Sequence, residues 1–214
     1  MRPGIAALLV VLASCGSSAA APGGSPASPS ATTPGRHCGP TGATTLASSS
    51  QARVYSSGGG VYGCSFAAGR SFRLGSAARS LHEGRVAPVA LAGTDVAYGL
   101  ATFGVDTGRT GVVVRRLTDG TQLADFASTQ AGVVEGFQSI GSLVIKRDGA
   151  VAWIGVERSI VGSRQVIEVH GAPAGASTDR LLGSGAQVVP SSLRLRGSTL
   201  TWTDGGATRR SILR

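Results

Sequence analysis

The sequence predicts an all-β fold for residues 38–214, and three observations carry that prediction. The chain is rich in Gly, Val, Thr and Ser, with 33 glycines among its 214 residues. No window of this region places apolar residues at helical spacing; short apolar runs bounded by turn residues recur instead. Four pairs of those runs read as copies of one hairpin, which is the mark of internal repetition.

The first hairpin joins ARVYSS to VYGCSF across Gly58, Gly59 and Gly60. The second joins the run from Val89 to Ala92 to VAYGLA across Gly93, Thr94 and Asp95. In the third, SLVIK meets VAWIGV across Arg147, Asp148, Gly149 and Ala150; in the fourth, SLRLR meets LTWTD across Gly197, Ser198 and Thr199. Alignment superposes Tyr62, Tyr98, Trp153 and Trp202, separated by 36, 55 and 49 residues. These four aromatics are expected to be repeat core residues, lying between neighbouring sheets. Chance alignment of short hairpins is the alternative, but an aromatic at the same place in every second strand favours true repeats. Further strands follow two of the hairpins: GVVVRRL, the turn Asp119-Gly120 and TQLADFA after the second, RQVIEVH and DRLLG after the third. Asp-Gly suits a turn whose central residues take positive φ.

Repeats of this length with four strands each resemble β-propeller blades. The expected architecture is therefore a β-propeller-like array of about four blades. The last repeat, ending in TRRSILR, is one strand short. A strand from near residue 44 would complete it and close the ring; without that strand the array is open, and a β-sandwich is the alternative. The opening RVY…GGGVYGC and the closing SLRLRGSTLTWTDGG resemble small propeller-like modules in exported proteins of high-GC bacteria, a resemblance that implies no particular activity.

Upstream, Met1 and Arg2 precede an apolar run over residues 5–13, the layout of a secretory signal. The run is shorter than the roughly 20 apolar residues a membrane-spanning helix needs. Leu12-Ala13-Ser14-Cys15 resembles the lipobox of bacterial lipoproteins. That resemblance implies removal of residues 1–14 as a signal peptide, lipidation of Cys15, and anchoring of the exported chain to the outer face of the bacterial cell membrane. The alternatives are an ordinary signal with a chance cysteine near its end and a buried N-terminal strand. Residues 15–37 then form a lipid-anchored flexible linker. Its stretch GSSAAAPGGSPASPSATTPG has no charge and no large apolar residue, so burial cannot offset the entropy of ordering it. With Cys15 lipidated, Cys38 and Cys64 are left as a pair, and the oxidising compartment predicts a disulfide between them. Two separate buried thiols are the alternative.

The formal net charge is +9, from 19 arginines and one lysine against eleven carboxylates, and asparagine is absent. GC-rich codons account for part of the arginine excess. A basic exported domain nevertheless attracts anionic envelope polymers or lipid headgroups. Arg115, Arg116, Arg194, Arg196, Arg209 and Arg210 are candidate contacts for such an anionic partner, set against a merely solvated basic surface. Nucleic acid is disfavoured as a partner, because export removes the chain from it and aromatics make up only 5% of residues.

Catalytic signatures are lacking: there is no Gly-x-Ser-x-Gly elbow, phosphate loop, His-Glu-x-x-His or EF-hand loop. His37 borders the linker, His82 lies beside Glu83 in RSLHEGR, and His170 closes the strand RQVIEVH. Asp95, Asp119, Asp148 and Asp204 fall where turns are expected, which accounts for them without acid–base chemistry. No metal ligand set and no cofactor motif stand out. The expected function is that of a lipid-anchored cell-envelope protein with a non-catalytic binding or scaffold domain, its partner an unidentified envelope protein or anionic polymer. An exported propeller-type hydrolase and a structural envelope component that binds anionic polymers are the competing classes. An enzyme would gather His82, His170 or several carboxylates in a pocket, whereas a ligand-binding module would show a basic or aromatic-lined face at the loop end of its sheets.

Overall fold

The computed structural model describes residues 38–79, 83–104, 108–130, 136–160 and 162–214, so the signal, the linker, Cys15, His37 and His82 lie outside the described residues. Those residues form fifteen strands and no helix. The strands fall into four successive antiparallel meanders. The first comprises β1 (Thr44–Ser48), β2 (Ala52–Ser57), β3 (Gly60–Ser65) and β4 (Ser71–Ser76). The second comprises β5 (Arg85–Ala92), β6 (Asp95–Phe103), β7 (Gly108–Arg116) and β8 (Gln122–Ala127). In the third are β9 (Gly136–Ile145), β10 (Val151–Ser159), β11 (Gln165–Ala172) and β12 (Arg180–Ser184). The fourth has three strands, β13 (Arg194–Arg196), β14 (Thr199–Asp204) and β15 (Ala207–Ile212).

Hydrogen bonding links β1 through β12 into one mixed twelve-stranded sheet and leaves β13–β15 as a separate sheet. The two joints between meanders are narrow, each a single parallel residue pair: Ser76 with Arg85, and Gly108 with Phe137. All four repeated hairpins form. The β2–β3 turn depends on Gly58 and Gly59, whose φ angles of 55° and 79° are readily reached without a Cβ.

Alternation along the strands gives every meander two faces. One face of the first meander (Ala52, Val54, Val61, Leu74) packs on Val96, Tyr98 and Val113 of the second. The opposite face of the second (Ala97, Val112, Val114, Phe126) packs on Val151, Trp153 and Ala172 of the third. Ala152, Ile154, Ile167 and Val169 on the far side of the third then pack on Leu200, Trp202 and Leu213. Three apolar layers thus hold four meanders in sequence, an arrangement with more layers than the two-layered sandwich. Tyr98, Trp153 and Trp202 are buried in these layers, each facing the preceding meander.

Tyr62 has the same orientation but no preceding meander. It is half-buried in a fourth cluster with Tyr55, Cys38 and Cys64, and stacks on Tyr55 at 5.5 Å. The Cys38–Cys64 disulfide forms, as the sequence predicts, and draws residues 38–43 across this face. Arg53 fastens the same segment by donating to the Cys38 and Ala43 carbonyls at 2.9 and 2.7 Å.

The strand beginning at residue 44 pairs with β2 and belongs to the first meander, so it does not complete the fourth. The short turn to β2 decides its partner. Among the described residues the sheets close into neither barrel nor ring.

Candidate functional site

A groove opens where the loop ends of β5, β6, β7 and β9 meet. It encloses about 800 Å³, counting its open mouth, between Arg85, Pro88, Phe103, Thr110, Phe137 and Gln138. Its walls follow from local structure. The β5–β6 ladder is irregular between Val86 and Val89, where Ala87 and Pro88 turn out of register. Gly99 accepts that irregularity, because any Cβ there would strike the Ala87 carbonyl. Gly108 separates the two aromatic walls: a Cβ on it would lie 3.1 Å from Phe137 and 3.4 Å from Phe103.

The groove is apolar at the sides and polar at the base. Phe137 is 40% exposed, so its ring is open to a ligand in the groove. The Arg79 guanidinium lies 4.5 Å over the Phe103 ring, and Arg85 stands at the mouth. At the base, the Thr110 amide donates to Gln138 Oε1 at 3.2 Å, and Thr110 Oγ1 donates to the Gln138 carbonyl at 2.7 Å. Gln138 Nε2 reaches inward to Thr129 Oγ1 and Glu157 Oε2, both at 3.4 Å. Thr129 Oγ1 donates to the same Glu157 oxygen at 2.5 Å. A buried carboxylate therefore fixes the orientation of a side chain that the groove presents.

His170, expected at the end of a strand, lies within β11 and is fully buried. Nδ1 is 2.6 Å from Asp179 Oδ2 and Nε2 is 3.0 Å from Glu168 Oε2. The Gln130 amide donates to Glu168 Oε2 at 2.6 Å, and Gln130 Nε2 donates to Asp179 Oδ2 at 3.1 Å. Both ring nitrogens are occupied and the ring is sealed from solvent, so this cluster braces the third meander. The sequence signal for it is the i, i+2 pair Glu168 and His170, polar residues on one side of an otherwise apolar strand; taking His170 singly misses it. No group of three His, Cys, Asp or Glu side chains converges to hold a metal among the described residues.

The turn carboxylates divide. Asp119 accepts from the Thr121 amide at 2.8 Å and Asp148 from the Ala150 amide at 3.0 Å. The Thr121 amide, and for Asp148 chiefly Lys146 with the Ala150 amide, hold these carboxyls below the usual range. Asp95 is buried at the start of β6, and burial raises its carboxyl despite Arg116 at 3.6 Å. Glu83, the neighbour of His82, is held by Arg73.

The six candidate arginines are not brought to one place. Arg115 donates to the Arg73 carbonyl at 3.3 Å and Arg116 faces Asp95, both on β7. Arg209 pairs with Asp204 at 3.2 Å. Arg194, Arg196 and Arg210 share one face of β13–β15, as the pairing of Arg194 with Thr201, Thr201 with Arg210, and Arg196 with Thr199 requires.

No protein-family model matches the chain, and no curated protein matches it in sequence.

Proposed function

We propose that this chain is a lipid-anchored cell-envelope protein whose β domain is an open, propeller-like array of about four blades, acting as a binding or scaffold module without catalysis of its own. The observation that carries the binding role is the groove: two aromatic walls and two arginines at the loop end, around a polar base. Such a site suits a partner with an apolar or planar group and an anion. The blade reading is supported by four meanders in series and by aromatics of equal orientation in each. The anchoring reading is supported by the LASC stretch and by the disulfide, which uses the other two cysteines and leaves Cys15 for lipid.

Two measurements test the proposal. The full chain and its Cys15→Ser variant are expressed in a bacterial host that processes lipoproteins, then compared by intact mass and membrane fractionation. Acyl mass and membrane retention should belong to the wild type only; a wild-type protein released without lipid would remove the anchor. The groove is tested with anilinonaphthalene sulfonate, an aromatic anion. Arg85→Gln and Phe137→Ser should each weaken its binding at least fivefold, and unchanged binding in both would assign the probe, and the binding role, elsewhere.

A further inference from the structure

The stack ends differently on its two sides. At the first meander the outer face is covered by residues 38–43 under the disulfide. At the fourth meander the outer face is bare among the described residues. Register places Arg194 and Arg196 of β13, Thr199, Thr201 and Thr203 of β14, and Thr208, Arg210 and Ile212 of β15 on it. The equivalent faces of the other three meanders are lined by Ala, Val, Leu, Ile and Phe, because each is covered by the next sheet.

A terminal repeat needs a polar outer face for solubility, and threonine alone meets that need. The arginines exceed it. All three are exposed, and among the described residues of the meander no side-chain carboxylate shares their face: Asp204 points to the other side and pairs with Arg209. Arg194 is steadied by donating to the Ser191 and Leu193 carbonyls at 2.9 and 2.8 Å. Arg194 and Arg196 lie two residues apart on one strand, about 7 Å, and Arg210 lies two strands away from Arg194, about 10 Å. Threonine hydroxyls fill the space between.

We infer that this face of β13–β15 binds an extended linear polyanion with one anionic group on each repeat, and not a nucleic acid, since the face carries no aromatic side chain on which bases could stack. Charge complementarity selects the anion, since the meander sets three guanidiniums and no acid on this face. The shape selects a polymer: the cations are spread across an open sheet rather than gathered around one point, so a chain that crosses the strands meets them in turn and the threonines hydrogen-bond between charges. The inference is independent of the groove and of the lipid anchor.

The test uses the full chain carrying Cys15→Ser, so that lipid does not compete, with sodium polygalacturonate and long-chain inorganic polyphosphate as probes. One variant combines Arg194→Gln, Arg196→Gln and Arg210→Gln. A second combines Arg109→Gln, Arg147→Gln and Arg164→Gln, three exposed arginines off this face, and removes the same charge. The first should lose at least tenfold in affinity for one or both polymers, and its dependence on log salt should be shallower by roughly two to three units if counterion release follows the count of contacts. The second should lose less than twofold. Equal losses in the two variants would reduce the effect to net charge and overturn the site. So would equal binding to neutral dextran, or binding confined to phosphatidylglycerol vesicles, which would make the ligand a membrane surface. Matching thermal midpoints establish that both variants are folded.

Discussion

Trp153 and His170 are cross-strand partners whose rings lie face to face, with centroids 5.1 Å apart and planes 11° from parallel. Phe126 also stacks on the indole, with centroids 5.4 Å apart, and Trp153 Nε1 donates to the Ser128 carbonyl at 2.9 Å. The stack thus joins the apolar layer between the second and third meanders to the polar brace of Glu168, His170 and Asp179.

Replacing His170→Phe keeps a ring against Trp153 but strips two shielded carboxylates of their common partner. Leaving buried hydrogen-bonding groups without their partner costs about 1 to 3 kcal/mol. Urea denaturation should show a loss of that order, and adding Glu168→Gln should recover part of it. A single-variant loss below about 1 kcal/mol would show that the brace contributes little.

Gly155 lies at the irregularity in the β9–β10 ladder, against the Ser128 carbonyl that receives the Trp153 indole N–H. A Cβ at this position cannot coexist with that carbonyl. Gly155→Ala should displace the 126–130 segment, lower stability by more than about 2 kcal/mol and change the Trp fluorescence spectrum. Gly58→Ala, in open space, should leave the spectrum unchanged.

Asp95 supplies a pH prediction with an unusual sign. Burial raises its folded-state carboxyl, so the ionised form costs stability above that raised value, and the cost disappears as pH falls toward the ordinary Asp range near 4. Its Oδ1 has no hydrogen-bond partner. Asp95→Asn should therefore raise the thermal midpoint at pH 7, with the advantage shrinking as the pH is lowered to about 4. Asp148 has the opposite sign: its stabilising interactions should be lost as pH falls through its depressed value.

Reduction of Cys38–Cys64 opens a loop spanning 26 residues, worth about 3 to 4 kcal/mol on the chain-entropy account. Calorimetry with and without reductant should show a midpoint drop of about 10 °C. Tyr55 and Tyr62 fluorescence should change with it, since their cover is the tethered segment.

The repeated hairpins were legible because alternation, glycine turns and a fixed aromatic mark them locally. The disulfide was legible from cysteine counting and compartment. Other features depend on partners far away in the chain. SFRLGS alternates only through Phe72 and Leu74, too short a run to name a partner, and it becomes β4 on the edge that β3 offers. The strand at residue 44 has a pattern compatible with several partners, and the short connection to β2 selects the one it takes. The groove joins Arg85, Phe103 and Phe137 across three strands, a juxtaposition no short window contains. Grouping the arginines by sequence proximity mixes residues from both faces of one meander; alternation within LRLR and TRRSI is the information that separates them.

The first three meanders are joined by single residue pairs, the fourth pairs with none of them, and each apolar layer involves only consecutive meanders. Cohesion in such a molecule is nearest-neighbour, so loss of structure propagates from an end. The covalent staple secures the N-terminal end alone, which gives unfolding a direction: the β13–β15 sheet should open first, with amide hydrogens of β14 exchanging before those of β6 and β10. Mechanical or proteolytic wear should therefore reach the C-terminal sheet while the stapled meander is still intact.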